Sequence, residues 1–160
     1  MGLDVSHDCW HGAYSAFMRW RREIARAAGF PPLLMMKGFY TWERITPEDI
    51  DSVLNVIGYL DLEHRWARSL LQALDKNDNL PIKWESLRPS PLIALLDHSD
   101  CGGSLPFNQC AEIAAALEEL LPRLPEGDGG GHIGNWREKT QKFIDGLRLA
   151  AESKEDVEFR

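Results

Sequence analysis

The sequence has few cysteines, no long hydrophobic run and too little positive charge to suit several classes of protein. It contains three cysteines and no Cys-x-x-Cys pair, which argues against a disulfide-rich secreted domain and against a structural zinc site. No apolar run approaches the ~18 residues that a membrane-spanning helix needs. The 18 basic and 25 acidic residues give a net charge of −7, so we expect no duplex nucleic acid as a partner. We therefore expect a cytoplasmic protein with no membrane partner, no bound metal and no cofactor.

What the sequence does contain is the composition of an ordinary folded domain. Of its 160 residues, 44% are hydrophobic and 27% are charged, values that are close to the average of globular proteins. A chain of this length can bury a core without disulfides or metals. Because the sequence has no internal repeat and no interdomain linker, we predict one globular domain that spans residues 1–160.

The spacing of apolar residues predicts several helices. From Trp10 to Ala28 apolar side chains recur every three or four residues, as they do on one face of an amphipathic helix. A second helical pattern covers residues 46–74, where Thr46 and Pro47 are typical of a helix start and Gly58 either bends one helix or separates two. Further helices are predicted at residues 92–96, at residues 107–121 and in the segment that Asn135 caps.

Strand-like sequences are fewer and shorter. They are the segments Leu3–Ser6, Leu80–Trp84 and Asp156–Phe159. We predict that they form one small sheet, against which the helices pack. The predicted fold class is therefore α+β, a mostly helical single domain with four or more helices on a small β-sheet.

A glycine-rich loop leads into the last predicted helix. Glycines at 129–131 and at 134 let backbone N–H groups approach a ligand, and a helix N-terminus favours anions. Arg137 and Lys139 in the first turn would add positive charge for a phosphate, with His132 as a further donor and Asn135 beside it. The alternative is a flexible connector between two helices, in which the glycines are merely permissive.

A second loop carries His98, Ser99 and Asp100 ahead of Gly102 and Gly103. Its spacing is similar to that of a calcium-binding loop, but only one carboxylate stands at a ligand position, which is too little negative charge for a hard cation. A structured turn is the expectation, with its three polar side chains available to contact a ligand.

The third group of chemically active residues is His7-Asp8-Cys9-Trp10-His11. Imidazole, thiolate and carboxylate are ligands of transition metals, and the same residue types serve in nucleophilic catalysis. The alternative is that His7 and His11 cap or line the first helix and contact solvent. Trp10, Trp136 and Tyr14 lie beside polar loops, where aromatic rings stack on bases or form the rim of an oligomer interface.

Three blocks of sequence resemble a known group of proteins. They are DVSHDCWHGAYSAF at residues 4–17, LDHSDCGG at 96–103 and FIDGLRLAA at 143–151. The blocks resemble a family of small, mostly uncharacterised proteins from bacteriophages and prophages. At Gly102 the chain departs from the pattern of that family, in which the position is often acidic.

The resemblance implies a role in the conflict between phage and host. Small phage proteins of this kind often antagonise host defence, and viral sponges of the anti-CBASS and anti-Thoeris type bind cyclic nucleotide or cyclic ADP-ribose signals without cleaving them. Such sponges are usually symmetric oligomers. The resemblance therefore implies a non-enzymatic homo-oligomer in the cytoplasm of the infected bacterial host, with a small nucleotide-like ligand as its partner.

These observations combine into one functional hypothesis and two alternatives. The hypothesis is a phage-encoded anti-defence protein that sequesters a small nucleotide immune signal. The residues proposed to bind the ligand are His7, Trp10, His11, Tyr14, His98, Ser99, Asp100, His132, Asn135, Trp136, Arg137 and Lys139. One alternative is a hydrolase or metal-assisted enzyme that uses His7, His11, His98 and Asp100, and the other is an inhibitor that binds a host protein.

Overall fold

The structure is a computed structural model, and it describes residues 2–31, 33–39 and 82–160. The helical pattern predicted at residues 46–74 lies outside the described residues. Contacts divide the chain into two compact units, Met1–Gly29 with Pro89–Arg160, and Phe30–Arg88. The single domain expected from the sequence stays a prediction. Among the described residues, no helix is both long and apolar enough to cross a membrane.

The first unit is mostly helical. Its described residues form four α-helices together with small two-stranded sheets, which confirms the predicted α+β class. The helices are α1 (Tyr14–Ala27), α2 (Leu92–Leu96), α3 (Phe107–Leu120) and α4 (Trp136–Ser153). The strands are β1 (Leu3–Val5), β2 (Trp10–Gly12), β3 (Ser104–Leu105) and β4 (Val157–Glu158).

The strands form two antiparallel pairs that the end of the chain links together. β1 pairs with β2, and β3 pairs with β4. Asp4 and Arg160 exchange both backbone hydrogen bonds at 2.9 Å, and Val5 forms an antiparallel bridge to Phe159. Residues 157–160 therefore pair with β3 on one side and with β1 on the other. This arrangement confirms the predicted strands at the N-terminal segment and at Asp156–Phe159.

The predicted strand Leu80–Trp84 is wrong as a member of this sheet. Ile82 forms an isolated parallel bridge to Met36 within the second unit. Trp84 begins a short 3-10 turn, and its indole N–H donates to the carbonyl of Lys37 at 3.0 Å.

β1 and β2 are joined by a two-residue turn at His7 and Asp8. Both residues have a φ of 57°, and the N–H of Cys9 donates to the carbonyl of Ser6. Left-handed conformation at both central positions is typical of the hairpin turn whose twist matches that of the strands. Histidine and aspartate tolerate this conformation better than most residues. The turn places the imidazole of His7 at the tip of the hairpin.

The first helix starts later than the apolar spacing predicted. Trp10–Gly12 belong to β2, and α1 begins at Tyr14. The φ of 153° at Gly12 is incompatible with a helix, and a Cβ there would lie 2.8 Å from His132. The close approach of the glycine-rich loop therefore requires glycine at this position.

An aromatic cluster forms the core of the first unit. The rings of Trp10, Phe17, Trp20 and Phe143 lie in contact, with the centroids of Trp20 and Phe143 4.7 Å apart. All four side chains are fully buried, and each such ring contributes roughly 1.5–3 kcal/mol through burial. The indole N–H of Trp20 donates to Thr140 at 2.9 Å, so the polar atom of this ring is satisfied.

Helix α4 ends in a left-handed residue that sets the direction of the following chain. Lys154 has a φ of 58°, and the N–H of Glu155 donates to the carbonyl of Ala150 at 3.1 Å. This closure satisfies carbonyl groups that have no partner inside the helix. It also turns Glu155 back toward the hairpin tip.

We expect the substitution Lys154→Gly to raise the free energy of unfolding by about 1 kcal/mol, because glycine adopts the left-handed conformation without the steric cost that a side chain brings. The matched control is Asp145→Gly, inside α4, which should lower the free energy of unfolding by about 0.5 kcal/mol through helix propensity and loss of the bond from Gln141. Urea denaturation measures both changes. A destabilised Lys154→Gly variant would contradict the cap.

Candidate functional site

His7 bridges two distant parts of the chain. Its Nδ1 lies 3.0 Å from Oγ of Ser6, and its Nε2 lies 3.0 Å from Oε2 of Glu155, 148 residues away. An ionised carboxylate accepts hydrogen bonds only, so in the neutral imidazole Nε2 carries the ring proton and Nδ1 accepts from the Ser6 hydroxyl. We call this arrangement the Ser6–His7–Glu155 chain.

Both ends of the Ser6–His7–Glu155 chain are held by backbone structure. The N–H of Glu158 donates to Oγ of Ser6 at 2.9 Å, and the N–H of Ser6 donates to the carbonyl of Glu158 at 2.9 Å. The side chain of His7 is only 11% exposed, whereas that of Glu155 is 68% exposed. The imidazole is therefore fixed between the hairpin turn and the C-terminal cap of α4.

A cavity of about 600 Å³ borders the Ser6–His7–Glu155 chain. We call it the hairpin cavity. Its volume falls within the range of small-molecule sites, roughly 300–1,000 Å³. Its lining consists of the Ser6–His7–Glu155 chain together with Phe107, Lys154, Asp156, Glu158 and Arg160.

Each carboxylate of the hairpin cavity already has a partner. Glu155 accepts from His7, and Asp156 accepts from the N–H of Phe107 at the start of α3, at 2.9 Å. Glu158 forms an ion pair with Arg160 and raises the pKa of that guanidinium. Lys154 forms no ion pair with any other described residue of the chain. A ligand in the cavity could therefore contact the ammonium group of Lys154 without displacing a carboxylate of the described residues.

The loop at His98–Asp100 is organised by Arg21, which is 1% exposed. Its guanidinium donates to the carbonyls of Leu96 and His98 at 3.2 and 2.5 Å and pairs with the carboxylate of Asp100. Burial lowers the pKa of Arg21 and raises that of Asp100, and the attraction between the two groups opposes both changes. The structured turn expected here is present. The charge of Asp100 is paired within the protein, and its proposed contact with a ligand stays a prediction.

The other side chains of this loop also contact their own chain. The imidazole of His98 stacks on Phe159 with centroids 4.0 Å apart, and its Nδ1 lies 2.8 Å from the carbonyl of Ser99. The hydroxyl of Ser99 accepts from the N–H of Cys101 at 3.3 Å. Neither His98 nor Ser99 lines the hairpin cavity.

The backbone N–H groups at the start of α4, where a phosphate site was predicted, have partners within the chain. Asn135 caps the helix as predicted, with its side chain accepting from the N–H groups of Arg137 and Glu138. The N–H of Trp136 donates to the carbonyl of Gly127, and that of Lys139 donates to the carbonyl of Asn135. The first turn therefore has no free backbone donor for an anion.

The basic side chains of this turn are likewise engaged. Arg137 donates to the carbonyl of Leu124 at 3.3 Å and lies 3.6 Å from the carboxylate of Glu126. Lys139 donates to the carbonyl of His11 at 3.2 Å and covers the ring of Trp10 at 4.1 Å. Burial lowers the pKa of Lys139. Both cations contact other segments of the chain, and their proposed role as phosphate ligands stays a prediction.

The aromatic residues proposed for stacking are less available than expected. Trp10 is fully buried in the core, so it cannot stack on a ligand from solvent. Trp136 is half-buried, and a Cβ on Gly129 would lie 2.6 Å from its ring, so the glycine-rich loop covers it. Tyr14 is half-buried at the first position of α1. His11 is 81% exposed and lies 3.7 Å from Asp4.

His132 attaches the glycine-rich loop to the start of α1. Its Nδ1 accepts from the N–H of Ala13 at 3.0 Å, and Arg19 donates to the carbonyl of Gly129 at 3.0 Å. The loop is therefore attached to α1 and is not a free connector; ligand binding by the loop stays a prediction. Of the residues proposed for binding, the structure gathers Trp10, His11, His132 and Lys139 around β2, and only His7 lines the hairpin cavity.

The sequence analysis missed most residues of the hairpin cavity. Ser6 and His7 are neighbours, which was visible, but Glu155 approaches them from 148 residues away. No periodicity or spacing connects these positions. The αL residue at the end of α4 and the pairing of the chain end bring them together, and neither has a local sequence signal.

The two buried cysteines, Cys9 and Cys110, are not activated as nucleophiles. Burial raises the pKa of Cys9 to about 12 and that of Cys110 to about 11, so both remain thiols at neutral pH. Cys110 lies close enough to Cys9 to contribute to the raised pKa of the Cys9 thiol. Residues 2–31, 33–39 and 82–160 contain no group of three metal-binding side chains arranged around a common point.

Comparisons with protein-family models, with curated proteins and with solved structures find no match to this chain.

We expect Arg21→Met to lower the free energy of unfolding by about 3–5 kcal/mol, because it leaves the carboxylate of Asp100 and the carbonyls of the loop without their buried donor. The control is Arg148→Met, which removes a half-exposed ion pair with Glu118 and should cost at most ~1 kcal/mol. Chemical denaturation measures both. Equal losses in the two variants would show that Arg21 does not organise the loop.

We expect His132→Ala to lower the free energy of unfolding by about 1 kcal/mol, because the N–H of Ala13 loses its acceptor. The freed glycine-rich loop should also be cleaved faster by a nonspecific protease. His11→Ala is the control, since that side chain is 81% exposed and its loss should change stability by no more than ~0.5 kcal/mol. Unchanged proteolysis of the His132→Ala variant would contradict the attachment.

Proposed function

We propose that this protein binds a small ligand in the hairpin cavity. The observation that carries the proposal is the cavity of about 600 Å³ that adjoins the Ser6–His7–Glu155 chain. It combines an aromatic ring at Phe107, which is 37% exposed, with the ammonium of Lys154 and the guanidinium of Arg160. Concave sites with a few convergent polar groups are where small molecules usually bind.

A nucleotide-type signal is the ligand class that we propose, on the basis of the sequence resemblance to phage proteins. Phe107 supplies a face on which a base can stack. Lys154 and Arg160 supply cations for phosphate oxygens, with charge-assisted hydrogen bonds. In this proposal the protein is phage-encoded, acts in the cytoplasm of the infected host and withholds an immune signal. Its symmetric oligomerisation is part of the proposal, and light scattering of the purified protein tests it.

The test is a thermal-shift and calorimetric screen against cyclic dinucleotides, cyclic trinucleotides and cyclic ADP-ribose isomers. A ligand at a hundredfold excess over its dissociation constant should stabilise the protein by about 2.7 kcal/mol. Lys154→Gln should weaken the binding roughly tenfold to a hundredfold, because it removes a charge-assisted hydrogen bond worth ~1.5–3 kcal/mol. Circular dichroism verifies that the variant is folded.

Two controls separate the hairpin cavity from other locations. Arg148→Gln removes a cation of α4 that does not line the cavity, and it should leave the affinity unchanged. His132→Ala should also leave it unchanged, since His132 belongs to the glycine-rich loop. Loss of binding in the His132 variant with full binding in the Lys154 variant would move the site to that loop. No shift with any nucleotide would overturn the proposed ligand class, and a host protein that co-purifies would favour the alternative of a protein-binding inhibitor.

A further inference from the structure

We propose that the Ser6–His7–Glu155 chain is a catalytic apparatus that hydrolyses small carboxylic esters in the hairpin cavity. The proposal rests on ligand binding in that cavity and goes beyond it, because it assigns a reaction. It departs from the capture without cleavage that the sequence resemblance implies. Ser6 is the nucleophile, His7 is the general base and Glu155 is the residue that orients the imidazole.

The geometry meets the requirements for activating a serine. A nucleophile must lie within hydrogen-bond distance of a base, and a third group must orient that base. Both links of the chain measure 3.0 Å. Here Nδ1 faces the serine and Nε2 faces the carboxylate. Because either ring nitrogen can accept while the other donates, this order supports the same proton transfer.

The site is also held in place before any substrate arrives. His7 sits in left-handed conformation within a tight turn, a backbone geometry that the surrounding structure must impose. The backbone of Glu155 is positioned by the cap of α4, and the N–H of Glu158 holds Ser6. That bond uses one lone pair of the hydroxyl and leaves the other for attack. Such fixed positions lower the entropic cost of reaching the transition state.

The reaction consumes one ester and one water. Oγ of Ser6 attacks the carbonyl carbon as its proton moves to Nδ1 of His7, and Glu155 stabilises the resulting imidazolium. The tetrahedral intermediate collapses, the alkoxy group leaves with the proton from Nδ1, and an acyl-Ser6 remains. Water then attacks the acyl group by the same route, which releases the carboxylic acid and restores Ser6. Lys154, which lines the cavity, stabilises the negative charge on the carbonyl oxygen.

The charges of the cavity favour a neutral ester over a phosphodiester as the bond that is cleaved. Glu155, Asp156 and Glu158 all line the cavity. A phosphodiester would bring an anionic reacting centre toward the carboxylate of Glu155, and like charges repel at that range. A carboxylic ester is neutral until it is attacked, and it then carries a single charge. The group that reacts beside Glu155 is thus a neutral acyl ester, on a substrate small enough for the cavity.

The experiment treats the folded wild-type protein with a biotinylated fluorophosphonate, which labels activated serines, and locates the adduct by peptide mass spectrometry. Hydrolysis of p-nitrophenyl acetate is followed in parallel. We expect labelling at Ser6, loss of labelling and of hydrolysis in Ser6→Ala, and neither change in the control Ser15→Ala, at an exposed serine of α1. His7→Gln should slow hydrolysis about 10²–10⁴-fold, as expected for loss of a general base.

Glu155→Gln tests the orienting role separately from stability. It should lower kcat and alter the pH dependence of hydrolysis while circular dichroism and melting temperature show a folded protein. A merely structural Glu155 would leave the pH profile unchanged. Unlabelled Ser6 in the folded wild type, or full hydrolysis by Ser6→Ala, would overturn the proposal. Nucleotide binding without labelling of Ser6 would support the proposed ligand and overturn the proposed hydrolysis. Labelling of Ser6 without nucleotide binding would support hydrolysis and overturn the proposed ligand.

Discussion

The pairing of residues 157–160 with β1 is the interaction on which the rest of the first unit depends. Asp4 and Arg160 exchange backbone hydrogen bonds, and Ser6 is bonded to Glu158 on the same side of that strand. The opposite side pairs with β3, which follows the loop of His98. Without this pairing, Glu155 would not reach His7, and Phe159 would not stack on His98. One short strand thus joins the hairpin, the second loop and the cavity.

Several of the basic side chains that the structure describes donate hydrogen bonds to backbone carbonyls of this acidic protein. Arg21 holds the carbonyls at the end of α2 and the carboxylate of Asp100. Arg137 and Lys139 each donate to a carbonyl of another segment. Because helix ends and loops expose carbonyl groups that need donors, buried or half-buried cations are an economical way to satisfy them. Basic residues near a glycine-rich loop therefore have a structural role here that the sequence pattern alone did not indicate.

Local structure was predictable from the sequence to the extent that its causes are local. The apolar spacing predicted α3, and Asn135 was predicted as the cap of α4, because each depends on residues within a few positions. The first helix was extended too far toward Trp10, since the close contact of Gly12 with His132 is a tertiary constraint that overrides periodicity. Helical spacing also could not show that Trp10 lies in a strand and still belongs to the same core.

The candidate site was harder to predict than the fold because its members come from separate segments. His7 was identified by its chemistry alone, and His98, Asp100 and His132 by the same reasoning. The structure engages the last three in packing or internal hydrogen bonds. What distinguishes His7 is the carboxylate of Glu155 and the adjoining cavity, and both depend on contacts between residues far apart in sequence.

The separation of 148 residues between His7 and Glu155 has a consequence for how the molecule is made. During synthesis the hairpin emerges from the ribosome long before the strand that completes its sheet. Until then the edge of β1 has no partner, and exposed strand edges tend to pair with other chains. Closing so long a loop also slows folding relative to local contacts. The nascent chain therefore passes through a period in which the edge of β1 is unpaired and can associate with other chains.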